Sequence, residues 1–192
     1  MSIQTRRERE RAERERLIVT AARDLAEAEG WDAVTTRRLA AEIEYSQPVL
    51  YSHFKGKDAI MAAVAVEGCV ELAAELRTAR TKATTPKEAL AAVGRAYTDF
   101  AHRRPALYDA MFTHHVDLPF ATPEAPAPLK EAFGEILQAV EPITAEGENA
   151  DLLTETYWAA LHGLVTLMRS GRLPKEAQET RLKLLISHFA KN

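Results

Sequence analysis

At 192 residues, with 46% hydrophobic and 28% charged residues, the chain has the make-up of a globular protein of one domain or two small ones. Its single cysteine, Cys69, excludes an intramolecular disulfide and a cysteine-cluster metal site, and no apolar run of about 18 residues is present to span a bilayer. The formal charge of −3 is uneven: residues 1–57 hold eleven Lys/Arg against ten Asp/Glu, and the remainder fourteen against eighteen. With an N-terminus lacking the apolar stretch of a signal peptide, these features lead us to expect a soluble, cytoplasmic protein with no membrane partner.

Helical periodicity dominates the whole length. A first helix is expected from about Arg7 to Glu29, with Leu17, Ala21, Leu25 and Ala28 on one face and Gly30 as its stop. From Arg6 to Arg16 arginine alternates with glutamate, which suits a solvated helix with i,i+4 ion pairs or an arm reaching along a phosphate backbone. Thr35 is a good N-cap for a short helix through Ile43, and Ser46 for the next. A long helix follows from Lys57 to about Arg80. "TPKE" then supplies an N-cap Thr85, Pro86 at the first helical position and Glu88 for a capping box. That helix carries Leu90, Val93, Tyr97 and Phe100 and stops before Pro105. A short helix spans about Ala106 to Phe112. Four prolines between His114 and Pro128 mark a loop. Helices are expected over Leu129–Val140, about Asn149–Arg169 with Gly171 beyond it, and Pro174–Phe189. The fold class is all-α, with about nine helices.

"TTRRLAAEIEYSQPVLYSHF" reads as a helix of about eight residues, a turn of about three and a second short helix, which is a helix-turn-helix. Leu39, Ala40, Ile43, Tyr45 and Leu50 point inward. Gln47, Pro48, Val49, Tyr51, Ser52 and His53 point outward, hydrogen-bonding and methyl-contacting groups at the start of a helix, with Lys55 and Lys57 just beyond. That chemistry fits base edges in a major groove, with the lysines suited to phosphates.

Residues Leu17 to Ile60 resemble the DNA-binding domain of the TetR family of transcriptional repressors. The likeness rests on Gly30-Trp31, Thr35-Thr36, Leu39-Ala40, Ser46, Tyr51-Ser52-His53-Phe54 and Lys57. It implies that Thr36, Arg37 and Gln47 to His53 face double-stranded DNA and that Lys57 meets a phosphate. Where the family usually has Gly-Val in the interhelical turn, this chain has Glu44-Tyr45, so Glu44 is expected to take a left-handed backbone at some cost.

The resemblance further implies a helix-turn-helix domain over residues 1–56 and a helical domain over 57–192 that binds a small effector and forms a homodimer. "YWAALHGLV" resembles a Trp-x-x-x-His-Gly run found in one subset of the family. Trp158 and His162, four apart, share a helical face, and they either pack the core or line a mostly apolar pocket with Tyr97, Phe100, Met111 and Phe133. The last two long helices would pair with their symmetry mates through Leu153, Leu161, Gly163, Leu164, Met168, Leu182, Leu185 and Phe189, with Gly163 allowing close approach. His102, His114, His115 and Asp117 would need to converge for a metal-dependent hydrolase; we expect no metal, no cofactor and no enzymatic activity, and rank a helical adaptor behind a ligand-released repressor.

Overall fold

The computed structural model describes residues 3–120 and 122–190. Among them are nine α-helices and no strand: α1 (Ile3–Glu29), α2 (Thr36–Glu42), α3 (Gln47–His53), α4 (Lys57–Thr81), α5 (Pro86–Arg103), α6 (Pro105–Phe112), α7 (Ala127–Val140), α8 (Ala150–Arg169) and α9 (Gln178–Phe189). Thr35 Oγ1 accepts from the Arg38 amide at 3.2 Å, Thr85 Oγ1 from Glu88 at 3.2 Å and Asn149 Oδ1 from Leu152 at 3.1 Å, so three of these helices start on side-chain caps. Ser46 holds the cap position of α3 without a side-chain bond. The last helix starts later than Pro174 suggests: a 3-10 turn, Lys175–Ala177, intervenes before α9.

The chain packs as two compact units. The first comprises Met1–Gly68 with Arg104–Pro126, the second Cys69–Arg103 with Ala127–Asn192. The packing division on α4 thus falls at Gly68 rather than Gly56, and α6 belongs with the N-terminal unit. Three hydrogen bonds account for that. The Glu27 carboxylate accepts the Ala106 and Leu107 amides (3.2 and 3.0 Å), satisfying orphan donors at the start of α6, and Trp31 Nε1 donates to the Ala106 carbonyl at 2.8 Å. The core of this unit holds Ile18, Val19, Ala22 and Leu25 of α1, Leu39, Ala40, Leu50, Ile60 and Val64, and Leu107 and Met111 of α6. On α1 the buried face keeps Leu25 of the expected set and is otherwise turned toward the neighbouring residues. Ile18 is fully buried, whereas Leu17 is 44% exposed and Ala28 lies in solvent. Turning the helix this way hides two adjacent β-branched residues together with Ala22 and Ala26.

The second unit centres on Leu72 and Leu76 of α4, Leu90, Val93, Tyr97 and Phe100 of α5, Ile136 and Val140 of α7, Tyr157, Leu161, Val165 and Met168 of α8, and Leu182 and Ile186 of α9. Its buried carboxylate, Glu135, is bonded by Arg77 Nε and Arg80 Nη2, both at 2.6 Å, so its burial leaves no unpaired charge. Burial pushes the Cys69 thiol up to about 12, which keeps it protonated and inert.

Fully buried Tyr157 donates its hydroxyl to the Leu90 carbonyl at 2.9 Å. The hydroxyl lies where a Cβ at residue 94 would be, so α5 and α8 meet around it only because residue 94 is glycine. Gly163 is the opposite case: a Cβ there would have no neighbour within 4 Å among the described residues. We predict that Gly94→Ala, despite a helix-propensity gain of about 1 kcal/mol, lowers stability by about 2 kcal/mol by pushing a rigid ring off its acceptor. Denaturant unfolding of the variant checks this.

Candidate nucleic-acid interface

The turn between α2 and α3 is closed by backbone chemistry. The Tyr45 amide bonds the Ala40 carbonyl at 2.8 Å and the Glu44 amide bonds Ala41 at 3.3 Å, the paired bonds of a Schellman C-cap. Glu44 sits at φ 56, the one positive φ outside glycine among the described residues. The same bond pattern ends α8, where Arg172 bonds Leu167 and Gly171 bonds Met168, but there glycine takes the left-handed position at φ 69. A side chain at that conformation costs about 1–2 kcal/mol.

With the turn fixed, α3 buries Leu50 completely and leaves Gln47, Pro48, Val49, Tyr51 and Ser52 exposed. Arg37 is exposed on α2, while its neighbour Arg38 forms a two-pronged pair with Glu29 of α1. Thr36 Oγ1 lies 3.2 Å from the Tyr51 hydroxyl, bringing two expected contact residues together across the motif. Ser52 donates to the Val49 carbonyl at 2.6 Å, which leaves its oxygen free to accept.

Two residues stand differently from expectation. The His53 side chain is only 5% exposed and its Nδ1 lies 3.3 Å from a Glu15 carboxylate oxygen, so it ties α3 to α1 instead of facing outward. Lys57 is half-buried and donates to the Trp31 carbonyl, which leaves two N–H donors for a phosphate. Sequence reasoning missed the Glu15 tie, whose one signal was an acid on the helix that must cross α3.

In the second unit, Tyr97 and Phe100 are fully buried, whereas Phe133, Trp158 and His162 are half-buried. Trp158 Nε1 donates to the Tyr97 hydroxyl at 3.0 Å. Burial first, and then the charge of Arg169, hold the His162 imidazole below its ordinary value, so it is neutral at pH 7. Met111 packs in the first unit, against the place a Gly68 side chain would fill. Recesses of about 280 Å³ (Thr85 to Lys87, Pro142 to Ala145, Ala190) and about 390 Å³ (beside Trp31, Asp109 and His114) are lined by none of them.

Of the expected dimer residues, Leu161, Met168 and Leu182 lie in the protomer's own core and Phe189 packs edge-on to Tyr157 at 5.1 Å. Leu153, Gly163, Leu164 and Leu185 are half-buried; the exposed leucines of α8 and α9 are Leu152 (59%), Leu167 and Leu184. Among the described residues no group of three or more His, Cys, Asp or Glu side chains is placed to hold a metal ion. None of the described helices is long and apolar enough to cross a membrane.

Comparison with known proteins settles the family. Residues 18–64 match the model of the bacterial regulatory proteins of the tetR family, and residues 90–189 match that of the tetracyclin repressor-like C-terminal domain. The chain belongs to the TetR family. It is 29% identical over 154 residues to an HTH-type transcriptional regulator of Mycobacterium tuberculosis, covering 80% of this chain and 69% of that one. The fold is shared with a protein of unknown function from Rhodococcus sp. RHA1 (TM-score 0.76, 22% identity, 92% and 93% of the two chains). It is shared also with BioQ bound to its double-stranded DNA operator (TM-score 0.66, 22% identity, 93% and 98%). As a TetR-family protein this chain is a DNA-binding transcriptional regulator and not an enzyme.

The strain at Glu44 gives a TetR-family chain with room for improvement. Glu44→Gly should raise stability by about 0.5–1 kcal/mol, the left-handed penalty removed less the added entropy of glycine. A thermal melt should show a rise of about 2–4 °C. No rise at all would mean the turn relaxes around Glu44 without cost.

Proposed function

We propose that this regulator binds a palindromic operator as a homodimer, represses transcription there, and is released by a small, mostly apolar effector. The observation that carries the reading is the split of α3: Leu50 is 0% exposed while Gln47, Pro48, Val49, Tyr51 and Ser52, on the other side and at the helix start, are open. Those are the positions from which a recognition helix reaches base edges.

Dimerisation supplies the second reading head. On α8, Leu152, Thr156, Ala159, Gly163 and Leu167 fall on one face at spacings of four, three, four and four, and Leu184 is 57% exposed on α9. Leucines at the ends and small residues between them suit a two-fold contact between copies of the same surface. Because a Cβ at residue 163 meets nothing within 4 Å, Gly163→Arg should leave the protomer folded. Analytical ultracentrifugation should then give a monomer, and operator affinity should fall with it. Gln47→Ala should remain dimeric and cost about 1–3 kcal/mol at one base position only. A wild-type monomer at micromolar concentration would sink the palindrome.

The effector reading rests on Trp158 and His162. Both are half-buried, and Trp158 donates to the Tyr97 hydroxyl, so an aromatic ligand lodged there finds a phenol to bond and, in His162, an imidazole whose pKa is lowered by burial. Such a ligand acts only by binding the released state more tightly than the DNA-bound one. Trp158→Ala should abolish effector-driven release while operator affinity stays within a few fold. If melting temperature and operator affinity fall together, Trp158 is part of the scaffold and the pocket lies elsewhere.

A further inference from the structure

We infer that Glu15 is a positioning residue for base recognition, acting through His53 to set the angle at which α3 presents Gln47. The inference rests on the reading of α3 as the recognition helix and adds to it a residue outside the helix-turn-helix.

On the seven-residue α3, Gln47, Leu50 and His53 stand three apart along the chain. Leu50, in the middle, is fully buried and makes a pivot. At a rise of 1.5 Å per residue, Gln47 and His53 lie about 4.5 Å from that pivot on opposite sides. A tilt that shifts His53 by about 1 Å therefore shifts Gln47 by about 1 Å the other way. That is enough to carry an N–H···O contact out of hydrogen-bonding range. The start of the helix is loosely held: Ser46 at its cap position makes no side-chain cap bond, and Gln47, Pro48 and Val49 are exposed. The far end thus decides where Gln47 stands.

Two polar contacts hold that end. Seen down the helix from Leu50, Tyr51 lies about 100° to one side and His53 about 60° to the other, toward α2 and α1 respectively. The Tyr51 hydroxyl is 3.2 Å from Thr36 Oγ1, but Tyr51 is 50% exposed, so water and DNA compete for that bond. The His53 side chain is only 5% exposed. A carboxylate only accepts, so His53 Nδ1 carries the proton and donates to Glu15 Oε1 at 3.3 Å. Arg11 Nε bonds the same oxygen at 2.8 Å and steadies the carboxylate. At that length the His53 bond is of modest strength, which suits a group that sets an angle more than it sets stability. Of the two contacts, the one through Glu15 is the one that DNA does not compete for.

The test uses the full-length protein and a duplex that wild type selects from a random-sequence library, with single-base substitutions made across it. Wild type should prefer the selected duplex over one altered at a base read by α3 by roughly 5- to 150-fold. Glu15→Ala should lower that preference by about three- to tenfold, one hydrogen bond written as a ratio, with melting temperature near wild type. Glu15→Gln keeps an oxygen for the imidazole to bond and should restore most of the preference. Adding His53→Ala to Glu15→Ala should lower it no further. Glu10→Ala removes the same charge nearer the start of α1 and should keep the wild-type preference, since charge alone weakens or tightens all duplexes alike. An undiminished preference in Glu15→Ala, a Glu15→Gln variant no better than Glu15→Ala, or an equal loss in Glu10→Ala would each overturn the positioning role and leave the recognition helix intact. A Gln47→Ala variant with wild-type base preference would instead overturn the reading of α3 on which the role rests.

Discussion

A seven-residue helix does not hold its shape alone in water, and what the DNA-binding unit can do rests on how α3 is held from one side. Full burial of Leu50 contributes about 2 kcal/mol. The His53 approach to Glu15 and the Tyr51 hydroxyl's contact with Thr36 hold its C-terminal half against α1 and α2. Every anchoring group lies on one flank or at the far end, so Gln47, Pro48 and Val49 at the helix start carry no structural duty. The polar face is affordable only because the apolar one is so narrow and so completely used. Glu44 belongs to the same constraint: the turn that sets α3 at its angle needs a left-handed residue, and the chain supplies one at a cost that glycine would avoid.

The second unit depends on a comparable exclusion. Tyr157 places a hydroxyl deep among apolar side chains, and Leu90's carbonyl, although already in a helix, has the second lone pair to accept it. That bond requires α5 and α8 to approach with no side chain at residue 94. Glu135 is tolerated in the same interior because two arginines of α4 close over both its oxygens. Polar groups here fix how α4 and α5 pair with α7 and α8, and apolar burial supplies the bulk of the free energy.

Local patterns were readable in the sequence, and facing was not. Caps at Thr35 and Thr85, the ends at Gly30 and Gly171, and the strained Glu44 all follow from residues within one turn of the feature they make. The helix-turn-helix was legible for that reason. Where two apolar residues adjoin, as at Leu17-Ile18, Leu152-Leu153 and Leu184-Leu185, periodicity fits either of two phases about 100° apart, and only the partner surface decides. At Leu17-Ile18 the residue named from sequence as inward is the exposed one; at Leu152-Leu153 and Leu184-Leu185 the residue named as interfacial is half-buried and its neighbour exposed. Gly163 drew attention as a mid-helix glycine, while Gly94, the one that a buried hydroxyl requires, carried no local mark. His53 likewise could not be placed without knowing that α1 runs past it.

The chain passes between its two packed units along α4, again between Arg103 and Arg104, and back between Pro126 and Ala127. α4 is a single unbroken helix that gives Ile60 and Val64 to one core and Leu72 and Leu76 to the other. α6 follows α5 directly yet is fastened to α1 by the Glu27 carboxylate and the Trp31 indole. Within the first unit, α6 and α3 therefore share one support: Glu27 of α1 takes the two amides that open α6, and Glu15 of α1 lies 3.3 Å from His53 at the end of α3.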